Sequence, residues 1–525
     1  MAIRFILALS AATALAAPAS PPVSPADAAL AKAVAANNCM TGEGAGAAAS
    51  ASKAVLVAGL TPAHMPASSV AEAQAFFDQG LGQLFGFDYD EALKSFRRAA
   101  AIDPDCAMCG WGEALALGPY VNSGPVGAAV IAEARAATTR TLASNRLSER
   151  DRALAEAVHA RHAPGGRQDG VHGDLYADTM TGLVARWPGD DLVAILATEA
   201  IMTSQPWDYW KPGGTVPKKR AGTALELVDR VLARSPNDPQ AIHLLIHLTE
   251  ASANPARAAG PAARLEGLAP AAPHMVHMPS HTWYNIGRFD EAIAANQRAV
   301  AADESYARKV GDDPKNYGYF NHHTHFILSS ATQTGDRTAA LAAATALEGA
   351  VDPDKVTTSP WLEMRLITAL LARSHFLPAA ELLALPAPDK RLLRMRLTWH
   401  GVRAEAHAML GDTVSAKTEV RALQAALSQI GYPSQDDRTL AALVERVARG
   451  RIAAAEGKPK EALRQYRRAE QVEAGLPYSE PPLWPIPVAV LSGQLRLKQG
   501  DNGGAAADFR RALAGRPGSR LASAG

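Results

Sequence analysis

A glycine followed five residues later by a small residue, inside runs with apolar residues at helical spacing, recurs along this chain and dictates how it can fold. The copies are GRFDEAIAANQRAV from Gly287, GDTVSAKTEVRAL from Gly411, GKPKEALRQYRRAE from Gly457 and GDNGGAAADFRRALAGRP from Gly500. Weaker copies end at Pro236 or begin at Gly335 and Ser374. The glycine supplies a tight turn and the runs on either side carry the helical period, so each copy predicts two antiparallel helices. One such pair cannot bury its apolar face alone and must stack on its neighbours, which makes the chain an all-α solenoid. Units start near residues 73, 107, 191, 239, 273, 321, 360, 397, 443 and 486, with a further one near 147.

The earliest strong copy, FFDQGLGQLFGFDYDEALKSFRRAAAIDPD, resembles a tetratricopeptide repeat. Gly80 stands where two helices touch, Tyr89, Glu91 and Ala92 open the second helix, Phe96 and Ala99 lie on its buried face, and Pro104 ends it. The resemblance implies a right-handed helical-repeat solenoid. It also implies that positions 2, 5, 9, 12 and 13 of each first helix line a concave groove able to take a peptide or protein partner. Two intervals, 191 to 239 and 273 to 321, exceed the repeat length of about 34 residues. The extra residues are SQPWDYWKPGG and ESYARKVGDDPKNYGYF, which read either as lids over the groove or as packed loops.

Ahead of the repeats, MAIRFILALSAATALAA places Arg4 before an apolar run and ends in small residues, which predicts a signal peptide over 1–17 and a periplasmic or secreted protein. Residues 18–70 are rich in Ala, Pro, Ser and Gly and read as a loosely ordered arm. Repeats over 71–345 carry the candidate site, and 346–525 are C-terminal repeats. No later apolar run is long enough for a membrane span. With 53 basic against 52 acidic residues, the chain gives no electrostatic case for nucleic acid. Cys106 and Cys109 form one CxxC, read as a short-range disulfide or two ordinary helix cysteines, and Cys39 is left over.

The histidines are not scattered. Residues 241–326 hold His243, His247, His274, His277, His281, His322, His323 and His325, out of 15 in the chain; an even spread would place roughly two to three there. In the repeat register His243 and His247 fall at positions 5 and 9 of one unit, His277 and His281 at the same positions of the next, and His325 and His322 at positions 5 and 2 of the third. Pairs at i and i+4 share a helix face, and neighbouring helices lie close enough for imidazoles to meet at one ion. Glu199 at position 9 and Glu250 at position 12 add carboxylates. The expected metal ligands are therefore His243, His247, His277, His281, His322, His325, Glu199 and Glu250, with His274 a possible neighbour and His323 outside the set. Imidazole with carboxylate suits zinc, copper or iron.

Glu113 falls at a position buried between helices and ranks below Glu199. Asn321 and Tyr284 face the groove and are candidates to orient ligands. The other histidines, among them His159, His162, His172, His375, His400 and His407, are not aimed at the groove by this register.

CGWGEALALGP, PWDYW, the segment from His243 to Ser252, HMPSH and the stretch from His322 to Phe326 together are similar to a group of exported bacterial tetratricopeptide proteins. The likeness runs from about Phe76 to Phe326 and implies a site without naming its reaction. The expected function is a solenoid binding one or two transition metals on its concave face. If it is an enzyme, the reaction is a two-metal hydrolytic or oxidative one with Glu199 or Glu250 as ligand or general base. The alternative is a metal-free scaffold whose groove binds a peptide or protein.

Overall fold

The computed structural model describes residues 54–166, 171–317, 319–357, 359–476 and 478–523. The expected signal peptide, most of the N-terminal arm and Cys39 lie outside them. The described residues form helices stacked in antiparallel pairs. These are α1 (Ala71–Phe85) with α2 (Tyr89–Ile102), α3 (Ala107–Ala116) with α4 (Ala128–Leu142), and α5 (Glu149–Arg161) with α6 (Gly173–Arg186). Next come α7 (Asp191–Ser204) with α8 (Ala221–Arg234), and α9 (Pro239–Thr249) with α10 (Ala259–Leu268). The sixth pair has a broken first helix, α11 (Pro273–His277) and α12 (Pro279–Asn285), packed on α13 (Phe289–Val310). Then follow α14 (Phe320–Thr334) with α15 (Arg337–Ala350), α16 (Pro360–Phe376) with α17 (Ala379–Ala384), and α18 (Leu393–Met409) with α19 (Thr413–Gln429). The last pairs are α20 (Gln435–Ala455) with α21 (Pro459–Glu473) and α22 (Val488–Lys498) with α23 (Asn502–Gly515), closed by α24 (Arg520–Ser523). No described helix is long and apolar enough to cross a membrane.

The turn glycines do what the repeat requires: Gly287, Gly335, Gly411, Gly457 and Gly500 adopt φ between +72° and +81°, where an L side chain is costly. Small residues on the first helices admit a ring from the second. A Cβ on Gly450 would lie 2.3 Å from Tyr466, and one on Gly493 would lie 2.7 Å from Phe509. The expected start at 443 is late by about two turns of helix, because Ser434 and Asp437 form a capping box that begins α20 at Gln435. Pro279 splits the helix of the sixth pair, since it has no N–H to continue the ladder.

Residues 54–70 are not a loose arm. They run along α1 as a strap, with Met65 buried and its carbonyl accepting from Gln74 Nε2 at 2.9 Å. The strap passes so close to α1 that a Cβ on Gly82 would meet the Thr61 carbonyl at 2.1 Å. Cys106 and Cys109 are joined in a disulfide at the start of α3. Glu113 is structural, pairing with Arg97 at 3.1 Å and Arg140 at 2.7 Å.

The groove is filled rather than open. The first insertion is an anchored loop: Tyr209 is fully buried and Trp210 Nε1 donates to the Leu248 carbonyl at 2.8 Å. The second extends α13 and reaches back to the first repeat, where Tyr306 Oη donates to Glu91 at 2.7 Å, while Asn122 Nδ2 donates to Tyr319 Oη at 3.1 Å. From the other end, the connector between α21 and α22 lays Tyr478, Glu480 and Pro485 against Asn285 and Gln333. Gly518 packs on Gly287, and Arg520 pairs with Asp290 at 2.6 Å.

Candidate metal centre

Seven of the eight clustered histidines, all but His325, converge in the enclosed interior. His243 and His247 come from α9, His274 and His277 from α11, His281 from α12, and His322 and His323 from α14. Each of the seven is at most 3% exposed. Two triads of nitrogens, His243 with His247 and His274, and His277 with His281 and His322, each have their atoms within 4.8 Å of one another. A third group, Glu250 with His281 and Glu480, meets the same criterion.

In His243, His247, His277 and His281 the outer nitrogen is tied to the protein and the inner one is left to the centre. His243 Nδ1 lies 2.9 Å from the Phe85 carbonyl, which only accepts, so this nitrogen carries the proton and Nε2 holds a lone pair. His277 Nδ1 lies 2.6 Å from Asn296 Oδ1, whose amide nitrogen is committed to the Ala292 carbonyl. His247 Nδ1 faces Glu250 Oε1 at 3.1 Å and His281 Nδ1 faces Glu250 Oε2 at 2.5 Å. Glu480 also contacts His281 Nδ1. Carboxylate or carbonyl behind imidazole is the arrangement that fixes the tautomer of a metal-ligating histidine.

On the inner side, His277 Nε2 is 2.7 Å from His281 Nε2 and 3.2 Å from His322 Nε2. Two imidazoles bound to one tetrahedral ion hold their nitrogens about 3.3 Å apart, so the triad is drawn up to nearly the separation an ion needs. His243 Nε2, His247 Nε2 and both nitrogens of His274 are buried without a protein partner, at a cost of about 1–3 kcal/mol each if nothing else satisfies them. Burial also favours the neutral ring at His243, His247, His274, His277 and His322. It lowers His243 to about 3 and pushes His247, His274, His277 and His322 well below the usual imidazole range, leaving lone pairs available to a cation. Burial and the neighbouring Glu480 raise Glu250 to about 8; a cation at the centre would favour its ionised form.

Aromatic rings wall the triads. Phe87 lies 4.3 Å from His243, 5.5 Å from His247 and 5.6 Å from His274, measured between ring centroids. Phe326 lies 4.8 Å from both His277 and His281 and 5.2 Å from His322. Trp207 meets His247 edge-on at 5.2 Å, and Tyr319 packs 4.2 Å from His274. Phe87 and Trp207 both adopt left-handed backbone, φ +57° and +61°, a conformation costing bulky residues about 1–3 kcal/mol that persists where surrounding structure enforces it. Phe87 occupies the turn position that is glycine in the later repeats, so the repeat alignment itself marks it as an exception.

Two expected ligands are elsewhere. Glu199 accepts from Tyr89 Oη with Arg161 nearby; Tyr89 stacks on Tyr120, which packs on Phe87, so this line of aromatics separates the carboxylate from the histidines. His325 lies one turn beyond His322 on α14, outside all three donor groups, with its Nε2 buried and unpartnered. Conversely, His274 joins a triad, because it sits one turn before His277 on the same face of α11. His323, which the register set aside, is fully buried 4.7 Å from His277 with its Nδ1 on Asp303 at 2.7 Å. Tyr284 packs on Phe289 and Phe326 rather than orienting a ligand, and Asn321 is buried with its Oδ1 unpartnered. His400 pairs with Glu419 at 2.7 Å, away from the centre. The sequence reading missed Glu480 and Asn296. Neither lies on a first helix, and nothing in the register points to them.

Fold and site together define a tetratricopeptide-like helical-repeat solenoid with clustered histidine and glutamate groups able to chelate a metal. No protein-family model and no curated protein matches the sequence. Among solved structures, the chain is similar to the APC/C hetero-tetramer Cut9-Hcn1 at 12% identity, covering 89% of this chain and 78% of that one, with a TM-score of 0.32. It is also similar to the human IFIT1 dimer with m7Gppp-AAAA, at 12% identity over 86% of this chain and 91% of that one, TM-score 0.31. The TPR domain of P58(IPK) matches at 12% identity over 86% and 95%, TM-score 0.20. Likeness at this level carries no argument about the site, and the fold rests on the stacked helix pairs themselves.

Proposed function

We propose that this chain is an exported solenoid protein that holds one or two transition-metal ions, drawn from zinc, copper and iron, in its enclosed histidine interior. The observation that carries the reading is the convergence of imidazole nitrogens whose opposite ring nitrogens are already committed to carbonyl or carboxylate oxygens. Glu250, lying between His247 and His281, is the carboxylate placed to serve a metal-bound reaction as ligand or base, and Glu199 is not. Export rests on the charged, apolar and small-residue pattern of residues 1–17. The test is elemental analysis of the full chain purified without chelator. Stoichiometric metal that disappears in a His243→Ala/His277→Ala variant supports the proposal; metal-free protein whose melting is unmoved by added metal or chelator refutes it.

A second reading, a scaffold for a protein partner, draws on a different surface. Met409, Leu410 and Val414 are 52%, 58% and 76% exposed around the turn between α18 and α19, an apolar tip that a partner would cover. The histidines take no part in it, since they are closed to a peptide. A pull-down that survives His243→Ala/His277→Ala but fails in Leu410→Ser/Val414→Ser would establish this role.

A further inference from the structure

We infer that the two histidine triads form one dinuclear copper centre, with a Cu(I) ion in each triad and dioxygen as the ligand taken up between them. This rests on the metal-binding reading above and names the metal, the count and the small molecule.

Adjacency comes first. His274 and His277 sit three residues apart on α11 yet serve different triads, with ring centroids 5.6 Å apart. His247 and His281, again from different triads, are 5.7 Å apart. Glu250 touches the Nδ1 of both His247 and His281, so one carboxylate positions a ring in each triad. Two ions held this way are neighbours, not independent sites.

Donor type and charge select the metal. Both triads present three imidazole nitrogens and no anionic donor, and the two nearest carboxylates, Glu250 and Glu480, are used on the outer nitrogen of His281. Beyond them, Asp303 behind His323 and Arg365 beside His322 and His325 offset each other in charge. An enclosed interior penalises net charge steeply. Two Cu(I) ions balance two carboxylates; two divalent ions leave a surplus of two positive charges unless an anion enters. Dioxygen supplies that anion without any other reactant. Each Cu(I) gives one electron, the O–O bond order falls from two to one, and the resulting peroxide dianion lies between two Cu(II) ions. The count returns to zero, no proton is consumed, and release of dioxygen reverses the step. The Phe87 and Phe326 rings, one against each triad, limit the water that would protonate such a dianion.

The experiment loads chelator-stripped full-length protein with cuprous ion under anaerobic conditions, then admits air. The inference expects two copper ions per chain, one dioxygen taken up per two copper, and loss of the Cu(II) electron paramagnetic resonance signal through coupling of the two spins. His274→Gln and His322→Gln should each hold half the copper and retain no bound dioxygen; their single Cu(I) loses its electron to dioxygen, which leaves as superoxide, and shows the signal of an isolated Cu(II). His325→Gln, a buried histidine on the same helix as His322 but outside the triads, should behave as wild type. The wild-type measurements alone decide the matter if a variant misfolds. One copper per chain, or two that are oxidised by dioxygen to independent Cu(II) signals with no dioxygen retained between them, overturns the dinuclear inference. A single divalent ion lost in His322→Gln overturns it while sparing the metal-binding proposal. A chain that binds no metal overturns both.

Discussion

Asn296 offers a way to perturb the centre without touching a ligand. Its Oδ1 accepts from His277 Nδ1 at 2.6 Å and its Nδ2 donates to the Ala292 carbonyl at 2.8 Å, all in the buried interior. Asn296→Leu keeps the branched outline of the side chain, with added bulk, and removes the acceptor. The His277 N–H then has Ser280 Oγ at 3.3 Å as its remaining neighbour, too long for an equivalent bond. Loss of an outer partner of this kind lowers metal affinity about 10–100-fold, equivalent to roughly 1.4–2.7 kcal/mol. Asn296→Asp has the opposite character: a carboxylate behind His277 makes the ring a stronger donor, so affinity should hold or rise. The assay is competition for zinc and for cuprous ion against a chromophoric chelator, with melting of the stripped proteins as the control for folding. A merely structural asparagine would lower stripped-protein stability in both variants and leave affinity unmoved. Equal affinity in wild type and Asn296→Leu would refute the claim that His277 ligates through Nε2.

The pH dependence of the stripped protein follows from the buried groups. His243 and His325 fall from 6.5 to about 3 on folding, so below pH 6.5 the unfolded chain binds more protons and stability should drop steadily as pH falls toward 3. Glu250 moves the other way, from 4.5 to about 8; its contribution is complete below pH 4.5 and is lost as pH rises through 8. Melting temperature across this range should peak between the two limbs, and Glu250→Gln should remove the alkaline limb only; a flat profile in the wild type would discredit the burial argument. Glu199→Leu should leave metal content intact while lowering stability by about 1–3 kcal/mol, because the buried Tyr89 hydroxyl loses its acceptor. Loss of metal in that variant would return Glu199 to the centre.

The order in which these residues could be read from sequence follows the physics that places them. Helical period and turn chemistry are local, so Gly287, Gly411, Gly457 and Gly500 locate the helix pairs, and the i, i+4 spacing puts His243 with His247 and His277 with His281 on the inward face. What escapes is whatever depends on how far the solenoid curls. Glu480 lies in a proline-rich connector with no period, and it reaches His281 because the last repeats close against the sixth. Glu199 shows the same limit from the other side. Its register is inward, as expected, but inward there means toward Tyr89 and Arg161, since aromatic residues of the first two repeats occupy the space between. His322 and His325 differ by a single turn on α14, and which of them meets the other imidazoles depends on how α14 is rotated against α11 and α12, which the repeat register does not resolve.

That closure also explains why the interior is expensive to build without a ligand. An open concave face would leave the imidazoles hydrated at little cost, as a peptide groove does. Here the strained turn at Phe87, the strained loop at Trp207 and the connector carrying Glu480 all act to exclude water from nitrogens that have no protein partner. Each would be relieved by a simpler choice: glycine at the Phe87 turn, as in the later repeats, or an apolar side chain in place of His274. A cation would account for all of them together, because it would use the lone pairs, compensate the buried carboxylates and gain strength from the low dielectric that the aromatic walls create.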